Sequence, residues 1–128
     1  MILLLDTSTP LCKLTLVDGA TQVETEWQAD RTLATGLLGY IQEQLTVQGK
    51  SWHDVSGIGA FKGPGSFTGL RIGLTVLNTA ADALEVPIIG SVGDGWKKDV
   101  LMRLEAGEND RIILPEYGSE AHITKPRK

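Results

Sequence analysis

The chain has 128 residues, of which 41% are hydrophobic and 22% are charged, and its formal net charge at pH 7 is −4. This acidic balance excludes a nucleic-acid binder that relies on a basic face of its own. A single cysteine, Cys12, excludes an internal disulfide framework, and no apolar run approaches the ~20 residues that cross a bilayer, so we expect a cytoplasmic protein without a membrane segment.

The first 27 residues predict three β strands. Residues 1–5 form a continuous apolar run, as in a strand covered on both faces, rather than the basic start of a signal peptide. Alternating apolar residues from 12 to 16 lead to Asp18-Gly19, which is a strong hairpin signal. A second alternating run extends from Thr21 to Trp27. We therefore predict a three-stranded meander whose third strand lies near a sheet edge.

Helices and strands are predicted to alternate in the rest of the chain. A helix over 31–47 has one apolar stripe and ends at Gly49. It is followed by a strand at 55–61, a helix at about 67–84, a strand at 87–90, a weaker helix at 94–106 and a short strand at 111–114. This order predicts an α/β domain with a mixed sheet, in the ribonuclease-H-like arrangement of the actin-like ATPases. We expect one domain over residues 1–115 and a polar tail over 116–128.

The most informative feature is the stretch from Gly63 to Gly73, which holds four glycines and runs directly into a helix. Its backbone amides could hold a phosphate at the helix N-terminus, or it could be a tight strand-to-helix connection against which another segment packs. Ser66 or Thr68 is the expected N-cap. For the first alternative, the candidate nucleotide or anion contacts are Asp6, Gly65, Ser66 and Arg71. For Asp6, the competing interpretation is a turn in which its carboxylate accepts from Thr7 or Ser8.

The helix at 67–84 has more apolar surface than one sheet can cover. One stripe contains Leu70, Leu74 and Leu77, and a second, rotated stripe contains Ile72 and Val76. The second stripe could be covered by the chain's own first helix, by another chain, or by both if the helices form half of an intermolecular bundle. The candidate partner-interface residues are Leu37, Ile41, Leu70, Ile72, Gly73, Val76, Leu77 and Ala80.

Catalytic machinery is not evident in the sequence. The glycine-rich loop lacks the Gly-Lys-Ser/Thr of a phosphate-binding P-loop. The two histidines, His53 and His122, have no partner at metal-ligand spacing, so no metal site is predicted. No Cys-His pair and no nucleophile-elbow context are present.

Three blocks of the chain resemble the bacterial TsaB (YeaZ) family, and the second is the most specific: residues 2–9 (ILLLDTST), 63–73 (GPGSFTGLRIG) and 87–91 (PIIGS). The resemblance extends from residue 1 to about residue 92. It implies an actin-like fold with a degenerate nucleotide site, and a non-catalytic subunit that pairs with the catalytic protein TsaD through the two predicted helices. With the TsaE ATPase, that pair installs the threonylcarbamoyl group on the adenosine that follows the anticodon.

The resemblance also implies partners and cofactors. ATP or ADP and Mg²⁺ would be used by the complex, tRNA would be met only through the complex, and a TsaE-like ATPase or a second copy of the chain could bind. Family members usually carry a second α/β domain after the region of Ser91, which this chain has no room for. Residues 112–117 resemble the family's closing Pro-x-Tyr segment, so we expect a short form that keeps both ends.

Two hypotheses follow. The first is a scaffold subunit that has no turnover of its own, for which Gly73→Arg or Val76→Glu should break the TsaD complex and leave the monomer folded. The second is a minimal ATPase or small-molecule kinase that uses Asp6 and the loop at 63–69. A peptidase, an older idea for this family, finds no supporting residues.

Overall fold

The computed structural model describes residues 1–116. Within them, five strands form one sheet: β1 (Ile2–Asp6), β2 (Leu11–Asp18), β3 (Thr21–Gln28), β4 (Gly57–Phe61) and β5 (Ile88–Ser91). Three α helices accompany the sheet: α1 (Leu33–Val47), α2 (Phe67–Leu84) and α3 (Trp96–Glu105). The predicted α/β class, the meander and all three helices are confirmed.

The sheet is mixed, with the strand order β3-β2-β1-β4-β5. β1, β2 and β3 pair in antiparallel fashion, and β1, β4 and β5 pair in parallel. The β2–β3 hairpin turns after Asp18, where Gly19 has φ +64°, a value that favours glycine. The meander therefore supplies the central strand β1, to which the two parallel strands are added on the other side.

Helices cover both faces of the sheet. Alternating side chains of β1 separate the two cores: Leu3 and Leu5 pack with α1 and α2, and Leu4 packs with α3. This explains why β1 is continuously apolar. Gly59 lies where a Cβ would collide with Val100 of α3, so the glycine allows that helix to approach β4 closely.

α1 packs with one stripe and ends where the sequence predicts. Its buried residues are Leu33, Leu37, Ile41 and Leu45. Gly49 has φ +71°, and the amides of Gly49 and Lys50 donate to the carbonyls of Thr46 (2.9 Å) and Leu45 (2.8 Å). These two bonds form a Schellman motif, which satisfies the last helical carbonyls.

α2 begins at Phe67, and Ser66 is its N-cap, with Oγ accepting from the Gly69 amide at 3.2 Å. One stripe of the helix is buried in the core: Gly69, Leu70, Gly73, Leu74, Leu77 and Ala81. The second predicted stripe, with Ile72 and Val76, faces away from the sheet and is half-buried.

The strand predicted at 111–114 is wrong. Asn109 and Asp110 accept from the β5 amides of Ile88 (3.0 Å) and Gly90 (2.9 Å) through their side chains, and the Asp110 amide donates to the Ile88 carbonyl (2.8 Å). Because side chains supply most of these bonds, residues 111–114 form no strand. Asn78 of α2 then holds Ile113, donating to its carbonyl and accepting from its amide at 2.9 Å each. Tyr117 and the polar tail lie outside the described residues, apart from Glu116.

Candidate functional site

The glycine-rich loop is closed by the turn that follows β1. The Ser66 amide donates to the Ser8 carbonyl (2.8 Å), and Thr7 Oγ1 donates to the Gly69 carbonyl (2.7 Å). A Cβ on Gly69 would collide with the Thr7 carbonyl oxygen, and one on Gly73 would collide with the Thr7 side chain. The glycines therefore make room for residues 7–8, which confirms the tight-connection alternative.

Asp6 serves the same turn. Its Oδ1 accepts from the Ser8 amide (2.8 Å) and from Ser8 Oγ (2.6 Å), as the competing interpretation expected. Gly65 packs on Ser8, and the Ser66 hydroxyl caps α2. Three of the four candidate anion contacts are thus engaged in internal contacts, and the fourth, Arg71, is exposed and lines a cavity with Thr68 and Ile72. Beside the loop, Ser66, Thr68 and Gly69 line a cavity of about 150 Å³ together with Arg31.

Other reactive groups are scarce in the described part of the chain. Cys12 is buried, and burial, with a smaller contribution from the Asp6 carboxylate, raises the pKa of its thiol from 9.0 to about 11. A thiol of this kind is a poor nucleophile. Within residues 1–116, no three His, Cys, Asp or Glu side chains are grouped to hold a metal, and no helix is long and apolar enough to cross a membrane.

An open groove runs between the outward faces of α1 and α2. One part is an apolar cavity of about 330 Å³, lined by Leu38, Trp52, Thr75, Val76, Thr79, Ala80, Ala83 and Leu84. A second part, of about 410 Å³, adjoins it and is lined by Ala34, Thr68, Arg71, Ile72, Thr75 and Val76. Leu38 is 55% exposed at the rim. An apolar groove between two helices is a candidate docking surface. We call it the α1–α2 groove.

The predicted interface residues divide between the groove and the core. Ile72, Val76 and Ala80 are half-buried and face the groove. Four others are fully buried, at 0% exposure, and cannot contact a partner: Leu37, Ile41, Leu70 and Leu77. Gly73 faces Thr7. These five assignments are corrected, because the residues belong to the inner stripes that hold the helices on the sheet.

Sequence reasoning did not name the other groove residues as interface candidates, above all Leu38, Trp52 and Leu84. One signal was available: Leu38 stands one residue past Leu37, off the stripe that repeats every four residues in α1. The role of Thr7 was also missed. Gly69 and Gly73 are four residues apart, so they share one face of α2 and indicate close approach of another segment.

Comparison with known proteins gives one family. A family model described as TsaD, tRNA N6-adenosine threonylcarbamoyltransferase, matches residues 27–91. The tRNA threonylcarbamoyladenosine biosynthesis protein TsaB of Escherichia coli K12 is 33% identical over an alignment of 118 residues, and the match covers 87% of this chain and 51% of that protein. TsaB of Haemophilus influenzae is 33% identical over 88 residues, or 69% of this chain and 37% of that protein. The chain belongs to the TsaB/YeaZ family.

Solved structures support the same assignment. YeaZ from Pseudomonas aeruginosa and a second structure, titled as an uncharacterized protein from Pseudomonas aeruginosa with similarity to peptidase YEAZ, each match with a TM-score of 0.67 and 32% identity. Each match covers 71% of this chain, and 42% or 43% of the other. The predicted family and its actin-like, ribonuclease-H-like fold are confirmed. The chain spans about half, or less, of the length of the curated relatives it matches.

Proposed function

We propose that this chain is a non-catalytic subunit in the synthesis of N6-threonylcarbamoyladenosine in tRNA, and that a TsaD-type catalytic subunit docks on the α1–α2 groove. The names of the curated relatives support the pathway, and the name of the family model supports the partner. The glycine-rich loop is filled by residues 7–8, so the proposal assigns the chemistry to the partner.

The observation that carries the proposal is the unpartnered apolar face of α2. Ile72, Val76 and Ala80 follow one another at four-residue spacing on its outward side, next to Leu38 of α1. Covering the exposed part of these side chains would be favourable, because burial of apolar surface is worth about 25 cal/mol per Å². Covering the strip with a second pair of helices would form a four-helix bundle.

The family match favours a TsaD-type occupant. The segment that the TsaD model matches, residues 27–91, contains both α1 and α2. TsaD-type proteins therefore carry a segment related to the one that forms the groove. Two related helix pairs, each with an outward apolar strip, can pack face to face, in the manner of an isologous contact between identical subunits.

The proposal has consequences for the rest of the system. The complex, rather than this chain alone, would use ATP and Mg²⁺ and bind tRNA, in the cytoplasm. A TsaE-type ATPase would join that complex. A homodimer through the same groove would compete with the TsaD-type partner.

The test is a binding measurement with a purified TsaD-type protein. Val76→Glu places a carboxylate inside the apolar strip, and the expected loss of affinity is roughly 100-fold. Met102→Glu is the matched control, because Met102 is an exposed apolar residue on α3, at the opposite face of the sheet. Circular dichroism should find both variants folded. A wild-type chain that fails to bind, or a Val76→Glu chain that binds as well as Met102→Glu, would reject the proposal.

A further inference from the structure

The α1–α2 groove is electrically different at its two ends. At one end, where the groove meets the glycine-rich loop and the turn after β1, a smaller cavity of about 150 Å³ has ten lining residues. They are Thr9, Pro10, Asp30, Leu33, Ser66, Gly69, Arg31, Ala34, Thr68 and Ile72. The last three also line the neighbouring part of the groove, together with Arg71. The other end, around Trp52, Ala83 and Leu84, has no charged lining residue. Two guanidinium groups and one carboxylate, that of Asp30, thus stand at one end of a groove that is otherwise lined mainly by apolar side chains and hydroxyls. We call this the arginine end.

Neither guanidinium is neutralised by an ion pair within residues 1–116. The five ion pairs found there involve other side chains: Lys50–Asp18, Lys97–Glu24, and Arg103 with Asp99, Glu108 and Asp110. One carboxylate, that of Asp30, also lines the arginine end, and it accepts from Gln28 Nε2 at 3.0 Å. Two cations and one anion leave a positive excess there.

Arg71 is also supported by its neighbour. Its guanidinium carbon lies 5.2 Å from the centre of the Phe67 ring, one helical turn earlier. A cation–π contact of this kind reduces the freedom of a long side chain, so less entropy is lost when the guanidinium meets a carboxylate. Arg71 is exposed and ready to form a bidentate pair with a partner.

From this polarity we infer that the arginine end sets the direction in which a partner helix lies in the groove. The occupant is an amphipathic helix of the TsaD-type subunit, with carboxylate side chains at the end that meets Arg31 and Arg71 and uncharged side chains at the other. The inference rests on the proposed function, which supplies the partner. The apolar strip provides the affinity, and the arginines reject a helix that lies the other way round.

The experiment measures binding of a TsaD-type protein to the full chain at about 50 mM and about 300 mM salt, because screening separates a charge effect from a packing effect. Arg71→Gln removes the charge, and Arg71→Glu and Arg31→Glu reverse it. Lys98→Glu is the matched control, since Lys98 is an exposed cation on α3. We expect each reversal to weaken binding roughly tenfold at low salt, Arg71→Gln to fall between, and the differences to shrink at high salt.

The outcomes separate this inference from the proposed function. If the wild-type chain binds and Val76→Glu does not, while both arginine reversals behave like Lys98→Glu at both salt concentrations, the docking surface stands and the orienting role is wrong. If the wild-type chain does not bind, both fail. A loss that is independent of salt would also overturn the inference, because it would indicate packing and not charge.

Discussion

The glycine-rich loop and the α1–α2 groove both border α2, and they differ in what fills them. On the inner side, Thr7 and Ser8 occupy the space that Gly65, Gly69 and Gly73 leave. On the outer side, Val76 is only half-buried and Leu38 is 55% exposed. The most conspicuous sequence feature is therefore internal architecture, and the free surface lies on a stripe with no unusual residues.

The difference also explains how α2 can be apolar nearly all round in a small domain. Its inner stripe holds it on β1, β4 and β5, and its outer stripe, which we propose as the docking surface, stays partly exposed. The two sides of α2 should therefore respond differently to substitution. Inner changes should cost folding stability, and outer changes should cost association.

The largest expected effect is that of Gly73→Arg. The sequence alone suggested that this variant would break the complex and leave the fold intact, but Gly73 lies against the buried Thr7 side chain. We expect the chain to unfold, or to lose more than about 3 kcal/mol of unfolding free energy, because the core cannot admit the side chain. Gly39→Arg on α1 is the matched control. A Cβ there meets nothing within 4 Å, so urea unfolding should give an equal or higher midpoint.

Asn78→Ala should have the next largest effect. The substitution leaves both the amide and the carbonyl of Ile113 without their partner, and Ile113 is only 3% exposed. We expect a loss of about 2 kcal/mol in the free energy of unfolding. Thr79→Ala, at an exposed position one residue later, should change it by less than about 0.5 kcal/mol in the same denaturation series. Equal midpoints would mean that the last segment is not fastened to α2.

Thr7→Val tests the inner side by a single hydrogen bond. Valine keeps the shape that Gly73 accommodates and removes the hydroxyl that donates to the Gly69 carbonyl. We expect a cost of about 1 kcal/mol, since the carbonyl is left without that donor in a buried place. Binding of the TsaD-type protein should be unchanged. An unaltered thermal midpoint would mean that the hydrogen bond between Thr7 and the Gly69 carbonyl does not stabilise the fold.

The smallest effect appears only at high pH. Because burial raises the pKa of Cys12 to about 11, the folded chain keeps a neutral thiol while the unfolded chain ionises near 9.0. Stability from this group is complete below pH 9.0 and falls as pH rises towards 11, by up to about 1.4 kcal/mol per pH unit. Urea unfolding of Cys12→Ala at pH 8–11 should lack this component. If the unfolding free energy of the variant falls with pH as steeply as that of the wild type, another group is responsible for the pH dependence.

Short-range signals were sufficient for most of the fold. The spacing of apolar residues predicted α2 at the residues where it is observed. Asp18-Gly19 predicted the β2–β3 hairpin, and Gly49 predicted the end of α1. The failed strand at 111–114 shows the limit of such signals. Its apolar residues resemble a strand, but the side chains of Asn78, Asn109 and Asp110 take the backbone groups that a ladder would use. Which side chain supplies a bond is a tertiary property.

The candidate site was harder to predict for the same reason. Helical spacing identified two stripes on α2, but which leucines turn inward depends on how the helix is rotated on the sheet. Leu70 and Leu77 proved to be core, whereas Leu38 and Trp52 lie at the free surface. Likewise, a glycine-rich loop is compatible with a phosphate or with a neighbouring turn, and only the position of residues 7–8 decides between them.

Site-specific cross-linking tests most directly the claim that the groove, and not the glycine-rich loop, is the binding surface. A photoreactive residue would replace Thr79 in the groove or Pro64 in the loop, both of which are exposed, before the chain is mixed with a TsaD-type protein. We predict a cross-linked heterodimer from position 79 and little or none from position 64. Efficient cross-linking from position 64 with none from position 79 would contradict the account.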